Sequence, residues 1–143
     1  MACFLRPGVV ALHWTDDRDD PQYERSAEAL KMLSSSTDAR GRKIKVVKVH
    51  APRKLLRTKE ECLGLAPVSD GTIGREEGEL LPGSYINFYM ANGAIILPQF
   101  GDIERDRMAV ETLSEAMPER TIVPVMSREI LCGGGNIHCI TQQ

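Results

Sequence analysis

Ser84-Tyr85-Ile86-Asn87-Phe88-Tyr89-Met90-Ala91-Asn92-Gly93-Ala94-Ile95-Ile96-Leu97 is the stretch that decides the architecture. At its centre, Asn92-Gly93 separates two apolar runs by two residues, the strongest short-range signal of a β-hairpin. Ser84 to Ala91, rich in Tyr, Ile and Phe, reads as the outgoing strand, and Ala94 to Leu97 as the return. Asp102 is placed to cap a helix whose apolar positions Ile103, Val110, Leu113 and Met117 fall on one stripe, and Pro118 stops it. Thr121 to Met126 then reads as a closing strand. Pro124 within it has no N–H to give to a ladder, which predicts that one edge of this strand is unpaired.

The same order of signals occurs earlier in the chain. Ala2 to Leu5 and Val9 to Trp14 flank Pro7-Gly8, a pair suited to a type II corner because Pro fixes φ and Gly supplies φ > 0. Asp20 followed by Pro21 predicts a helix start. Tyr23, Ala27, Leu30 and Leu33 recur at helical spacing, and Ser34-Ser35-Ser36 with Gly41 end the helix. Lys43 to Val49 alternates around β-branched residues and predicts a strand. Landmarks recur at similar offsets, Gly8 to Gly93, Pro21 to Glu104 and Ile44 to Ile122. The expectation is an α/β chain of two ββαβ units, about 2–50 and 84–126, with Gly133 onward opening the first strand of a third. Each unit leaves a sheet face to bury, which suggests stacking around a common axis.

Between the units lies a long insertion, residues 51–83. Thr58-Lys59-Glu60-Glu61 is a capping box, so a short helix is expected to run to about Gly64. Ala66 to Gly83 is rich in Gly, Pro and acidic residues and reads as loop, either a functional segment or a solvated excursion.

The chain ends on Gly133-Gly134-Gly135-Asn136-Ile137-His138-Cys139-Ile140-Thr141-Gln142-Gln143. Three glycines remove side chains from a length of backbone, so a substrate can approach it closely. Cys139 follows, either a nucleophile or a small buried hydrophobe. On a strand, His138 would point away from Cys139, so it is not the thiol's base. Cys132 and Cys139 form no CxxC and have no second histidine at zinc spacing, so no metal site is expected. No Lys-Ser/Thr follows the glycines, which excludes a phosphate loop.

At 143 residues the chain has the length of one domain, and 42% hydrophobic with 27% charged residues is the composition of a soluble globular protein. A net charge of −2 gives no electrostatic footprint for nucleic acid or an anionic membrane. No apolar run reaches a membrane span, and Arg6-Pro7-Gly8 interrupts the N-terminal apolar stretch where a signal peptide would need continuity. Four cysteines without a secretory signal suggest reduced thiols and a cytoplasmic location.

The terminal segment, together with Ala2-Cys3-Phe4-Leu5-Arg6-Pro7-Gly8, Trp14-Thr15-Asp16-Asp17, Asp20-Pro21-Gln22-Tyr23-Glu24-Arg25 and Ser84-Tyr85-Ile86-Asn87-Phe88-Tyr89, resembles the agmatine deiminases of the guanidine-modifying pentein superfamily, relatives of the protein-arginine deiminases. The resemblance runs through the whole chain in matching order. It implies a partial pentein-type α/β propeller, with residues 1–143 the C-terminal part of one catalytic domain and 133–143 its active-site segment. It implies a hydrolase of putrescine (polyamine) biosynthesis that converts agmatine to N-carbamoylputrescine and ammonia. Cys139 would be the catalytic nucleophile, forming a covalent amidino-cysteine intermediate, with Gly134, Gly135 and Trp14 contacting substrate and no cofactor or metal. An inward strand tryptophan such as Trp14 is more often core, and the cluster Asp16, Asp17, Asp19 and Asp20, which offers itself as a cation site, reads more simply as a polar loop with Asp20 as helix cap. The family's His-x-Asp acid/base motif would fall ahead of Met1, so these residues alone are expected to be catalytically incomplete. Arginine or peptidyl-arginine is the alternative substrate, with Arg6, Arg53 or Arg128 as candidate receivers of its carboxylate. A non-catalytic assembly or binding domain is the third reading. Unsatisfied sheet edges would favour self-association into a homo-oligomer.

Overall fold

Gly8 and Gly93 occupy the second corner of two matching hairpins, at φ +75 and +77. The structure, a computed structural model, describes residues 1–64 and 75–142. Strand β1 (Ala2–Arg6) turns through Pro7-Gly8 into β2 (Val9–Trp14), and β4 (Tyr89–Ala91) turns through Asn92-Gly93 into β5 (Ala94–Gln99). Among the described residues only glycines take positive φ. Asn92 therefore does not adopt the paired left-handed conformation of a type I′ turn, and both corners share the requirement for φ > 0 at Gly alone.

From each hairpin the chain crosses over a helix and returns parallel to the second strand. Helix α1 (Pro21–Ser35) leads to β3 (Lys45–His50), and α3 (Ile103–Ala116) to β6 (Thr121–Met126); the short helix α2 (Lys59–Leu63) lies between the units. Parallel neighbours require such a crossover. The two sheets, β1-β2-β3 and β4-β5-β6, begin and end their parallel ladders in the same way. Gly8 O accepts from Lys45 N (2.8 Å) and Gly93 O from Thr121 N (2.9 Å). At the other end Trp14 O accepts from Ala51 N (2.8 Å) and Gln99 O from Ser127 N (3.0 Å). The internal repeat thus holds at both ends of the parallel ladders, in a mixed α/β arrangement of two small mixed sheets.

The helix caps follow the sequence. Asp20 accepts from Gln22 N with Pro21 at the first helical position, and Asp102 accepts from Arg105 N. Thr58 and Glu61 exchange both bonds of a capping box, and Gly64 closes α2. The remaining predicted loop of the insertion lies in part (65–74) outside the described residues; Leu56 and Leu80 bridge its two flanks. Pro124 sits opposite Leu97 in β6, which pairs with β5 alone among the described strands.

Three expectations are corrected. Ser84–Phe88 is not strand; Asn87 N donates back to Ser84 O (3.2 Å), and the ladder starts at Tyr89. Tyr85, Ile86 and Phe88 are buried all the same, so aromatic content signalled core there rather than extended backbone. No strand forms from Gly133 onward among the described residues: helix α4 (Arg128–Cys132) is followed by the glycines and a 3-10 helix, Ile137–Ile140. Ile103 is 86% exposed. The inward stripe of α3 is Asp106, Ala109 and Leu113, continued by Met117 at the cap. Apolar periodicity misses Asp106 because a carboxylate is not expected inside. It is satisfied there by Tyr85 Oη (2.7 Å), Phe100 N (3.1 Å) and Gly101 N (3.0 Å).

The core runs between the sheets and α3, with Leu97, Ile95 and Leu113 fully enclosed beside Ala11, Val49 and Tyr85. Helix α1 is different: Tyr23, Ala27, Leu30 and Leu33 are only half-buried, and Ser26, bonded to His13 O, is its one buried residue. Among the described residues no helix is long and apolar enough to cross a membrane.

Candidate functional site

Buried Asn136 organises the terminal segment. Its Oδ1 accepts from Ile137 N (2.8 Å), capping the 3-10 helix, while its Nδ2 donates to Ser127 O (3.4 Å). The tight turn then carries Cys139 N onto Asn136 O (2.9 Å). With about three residues per turn, His138 and Cys139 project about 120° apart rather than to opposite faces of a strand.

Cys139 is exposed, and its thiol is held below its ordinary pKa first by the Asn136 backbone and then by the Asn87 side chain, against a smaller opposing effect of burial. Asn87 Nδ2 donates to Cys139 Sγ at 3.3 Å. A donor at sulfur favours the thiolate, the reactive form. Asn87 is fixed in turn by His138 N, which donates to its Oδ1 (3.0 Å) and lies near its main-chain O (3.2 Å). Cys3 and Cys132 shift the other way: burial pushes Cys3 up to about 11, and burial with Glu61 raises Cys132.

The glycines divide their roles. Gly134 is held by φ +97, and a Cβ there would meet nothing within 4 Å. At Gly135 a Cβ would lie 2.9 Å from Cys139 Cβ and 3.3 Å from its Sγ. The close approach expected of the glycine run is therefore made by Gly135 and by the Cys139 side chain.

Trp14 sits elsewhere. It is 5% exposed, donates Nε1–H to Asp16 (2.7 Å), and lies beneath the Lys48 ammonium at 3.5 Å. It lines a cleft of about 760 Å³ with His13, Asp16, His50 and Arg53, to which none of the described residues from Gly133 onward contributes. The structure brings Gly135, Asn87 and Cys139 together and leaves Trp14 apart. Asp20 acts as the helix cap.

Sequence reading missed Asn87. The signal available was an amide in the middle of an aromatic run, where a strand gives it no partner. Among the described residues no histidine side chain hydrogen-bonds to Cys139. His13 bonds Ser84 Oγ (2.8 Å), with burial and then the N-terminal ammonium pulling its pKa down to about 4. His50 bonds Asp16 (2.8 Å). Nor do the described residues gather three or more His, Cys, Asp or Glu side chains that could hold a metal. The three cations considered for a carboxylate are each engaged: Arg6 with Ala116 O and Glu119, Arg53 with Asp102 and Glu104, Arg128 with Glu61.

Replacing Asn87 by alanine is expected to move the pH profile of Cys139 alkylation to higher pH. At neutral pH the rate should fall roughly 3- to 10-fold, the scale of one ordinary hydrogen bond. Iodoacetamide labelling followed by mass spectrometry checks this; an unchanged profile would leave the Asn136 backbone as the sole stabiliser.

The chain is 54% identical over 144 aligned residues to the agmatine deiminase of Medicago truncatula, covering 100% of itself and 38% of that protein. It superimposes with a TM-score of 0.87 and 41% identity on a solved agmatine deiminase of Enterococcus faecalis, over 99% of itself and 38% of that chain. An agmatine deiminase of C. jejuni, at 23% identity and a TM-score of 0.71, shares the fold over 97% of this chain. The chain thus spans 38% of the Medicago protein's length and the same share of the Enterococcus chain. The sequence profile of the Porphyromonas-type peptidyl-arginine deiminases matches residues 1–143 in full, and the chain belongs to that family.

Proposed function

We propose that this chain carries the nucleophile of an agmatine deiminase. The observation that carries the reading is Cys139 itself: exposed, shifted toward thiolate by Asn136 and Asn87, and placed against a glycine that leaves its sulfur uncrowded. In this reading the Cys139 thiolate attacks the guanidinium carbon of agmatine. The bond to one terminal nitrogen breaks, ammonia leaves with an added proton, and an amidino-thioether remains. Water then adds to that carbon, the C–S bond breaks, and the thiol and N-carbamoylputrescine are released. A guanidinium keeps its charge at any working pH, so the substrate also favours the ionised thiol.

The two repeated sheets serve as two blades of a five-bladed pentein propeller, within one catalytic domain. The acid/base and the carboxylates that grip the guanidinium fork then come from residues other than the histidines and acids described here. Trp14 lines a separate cleft, whose wall at Gly83 leads into the Ser84–Asn87 turn, and takes no part in these steps. Arg6, Arg53 and Arg128 already have anionic partners, which leaves none of these three free to receive an arginine α-carboxylate. An arginine-selective site needs a free cation for the α-carboxylate.

The test is a chimera in which residues 1–143 replace the matching segment of the Enterococcus faecalis enzyme. Ammonia and N-carbamoylputrescine are expected from agmatine, with a transient amidino adduct on Cys139 by intact mass. A folded but inactive chimera overturns the reading; faster turnover of arginine than of agmatine replaces its substrate.

A further inference from the structure

The triglycine run has little side-chain packing to fix it, yet Gly135 must stay within van der Waals contact of Cys139. Two guanidinium groups from the segment between the sheets supply what packing does not. Arg57, 4% exposed, donates Nη1–H to Cys132 O (3.2 Å) and Nε–H to Glu79 (3.2 Å). Arg75 donates Nη1–H to the same Cys132 O (3.0 Å) and Nη2–H to Gly133 O (3.1 Å). These carbonyls lie at the C-terminus of α4, where the last helical acceptors have no intrahelical donor and where cations are favoured. The start of α4 is tied to the same segment: Arg128 donates to Glu61 (2.6 Å) and to Leu56 O (2.7 Å).

We propose that Arg57 and Arg75 are positioning residues for Cys139, fixing the Cys132–Gly133 and Gly133–Gly134 peptide planes from which Gly135 and Asn136 are carried to the sulfur. Glycine loses more backbone freedom on ordering than any other residue, so a three-glycine run is where an external clamp has most to hold. The Arg75 fork grips two successive carbonyls, a geometry an ammonium cannot reproduce. The sequence gives no sign of this pairing, because each arginine reads as a solvated charge in a loop. The inference rests on Cys139 as the reactive group, but its test does not require agmatine.

Alkylation of Cys139 by iodoacetamide is measured against pH in the protein with Arg75→Met and Arg75→Lys. Arg75 is exposed, so thermal melts should match the parent. Both variants are expected to alkylate roughly 3- to 10-fold more slowly at neutral pH, with the profile moved to higher pH, because a loosened turn holds the Asn136 donor at the sulfur for less of the time. Arg57→Lys, at the buried position, should do the same and also lower the melting temperature. Wild-type profiles in both Arg75 variants overturn the proposal. So does a normal profile in Arg75→Lys beside a slowed Arg75→Met, which would show a charge effect without a fork. In the chimera, kcat on agmatine should fall ~10-fold or more with KM less affected, as expected for a displaced nucleophile. A chimera inactive in every form would count against agmatine deimination, and the alkylation series would still decide the clamp.

Discussion

Cys139→Ser in the chimera with the Enterococcus faecalis enzyme is expected to lower agmatine turnover by at least ~10³-fold, about 4 kcal/mol of transition-state stabilisation. A hydroxyl has a far higher pKa than a thiol, and the donors around position 139 stabilise an anion without being able to take a proton. Asn87 offers an amide, the Asn136 backbone a peptide group. Among the described residues no histidine side chain is hydrogen-bonded to Cys139, and two are engaged elsewhere, His13 with Ser84 and His50 with Asp16. Folding should be nearly unaffected, since the Cys139 side chain is exposed and serine is its isostere. Steady-state kinetics with a thermal melt of the same sample separate the two effects. Retained turnover would remove the cysteine from the chemistry.

Serine should also abolish the iodoacetamide adduct at this position while leaving Cys3 and Cys132 as they were. Both are raised by burial and are poor nucleophiles near neutral pH. Labelling of the parent protein is therefore expected to concentrate on Cys139 when these three sites are compared.

Those signals that act through the local backbone were legible in the sequence. Pro7-Gly8 and Asn92-Gly93 located both hairpins because only glycine occupies the left-handed corner at each. Asp20-Pro21 and the Thr58–Glu61 box located helix starts because capping is a short-range exchange of hydrogen bonds. The repeat followed from these punctuation marks rather than from residue identity. Legibility failed where tertiary partners decided. Ser84–Phe88 has the composition of a strand but turns, since its aromatic side chains are buried by α3 and the sheets while Asn87 is drawn to Cys139 and His138. Asp106 enters the core only because Tyr85 and two backbone amides meet it there. At the site, Cys139 and the glycines were visible as residue types. Their division of labour was not, since it depends on which glycine faces the sulfur.

That division gives the last expectation, a contrast between two alanine substitutions one residue apart. Gly135→Ala should lower kcat/KM on agmatine by ~10²-fold, the scale associated with an ångström of misplacement at a reacting group. The added carbon would lie 2.9 Å from Cys139 Cβ, close to the main chain rather than at the end of a flexible side chain, so Cys139 has to move. The φ of Gly135 is not in the left-handed region, so backbone strain contributes little. Gly134→Ala should behave in the opposite way. Its Cβ enters open space, but φ +97 disfavours any side chain and should lower stability by about 1–2 kcal/mol. Chemical denaturation and steady-state kinetics on both variants read the two effects independently. Equal kinetic losses without a difference in stability would mean that the run acts only as a flexible turn, with neither glycine dedicated to the sulfur.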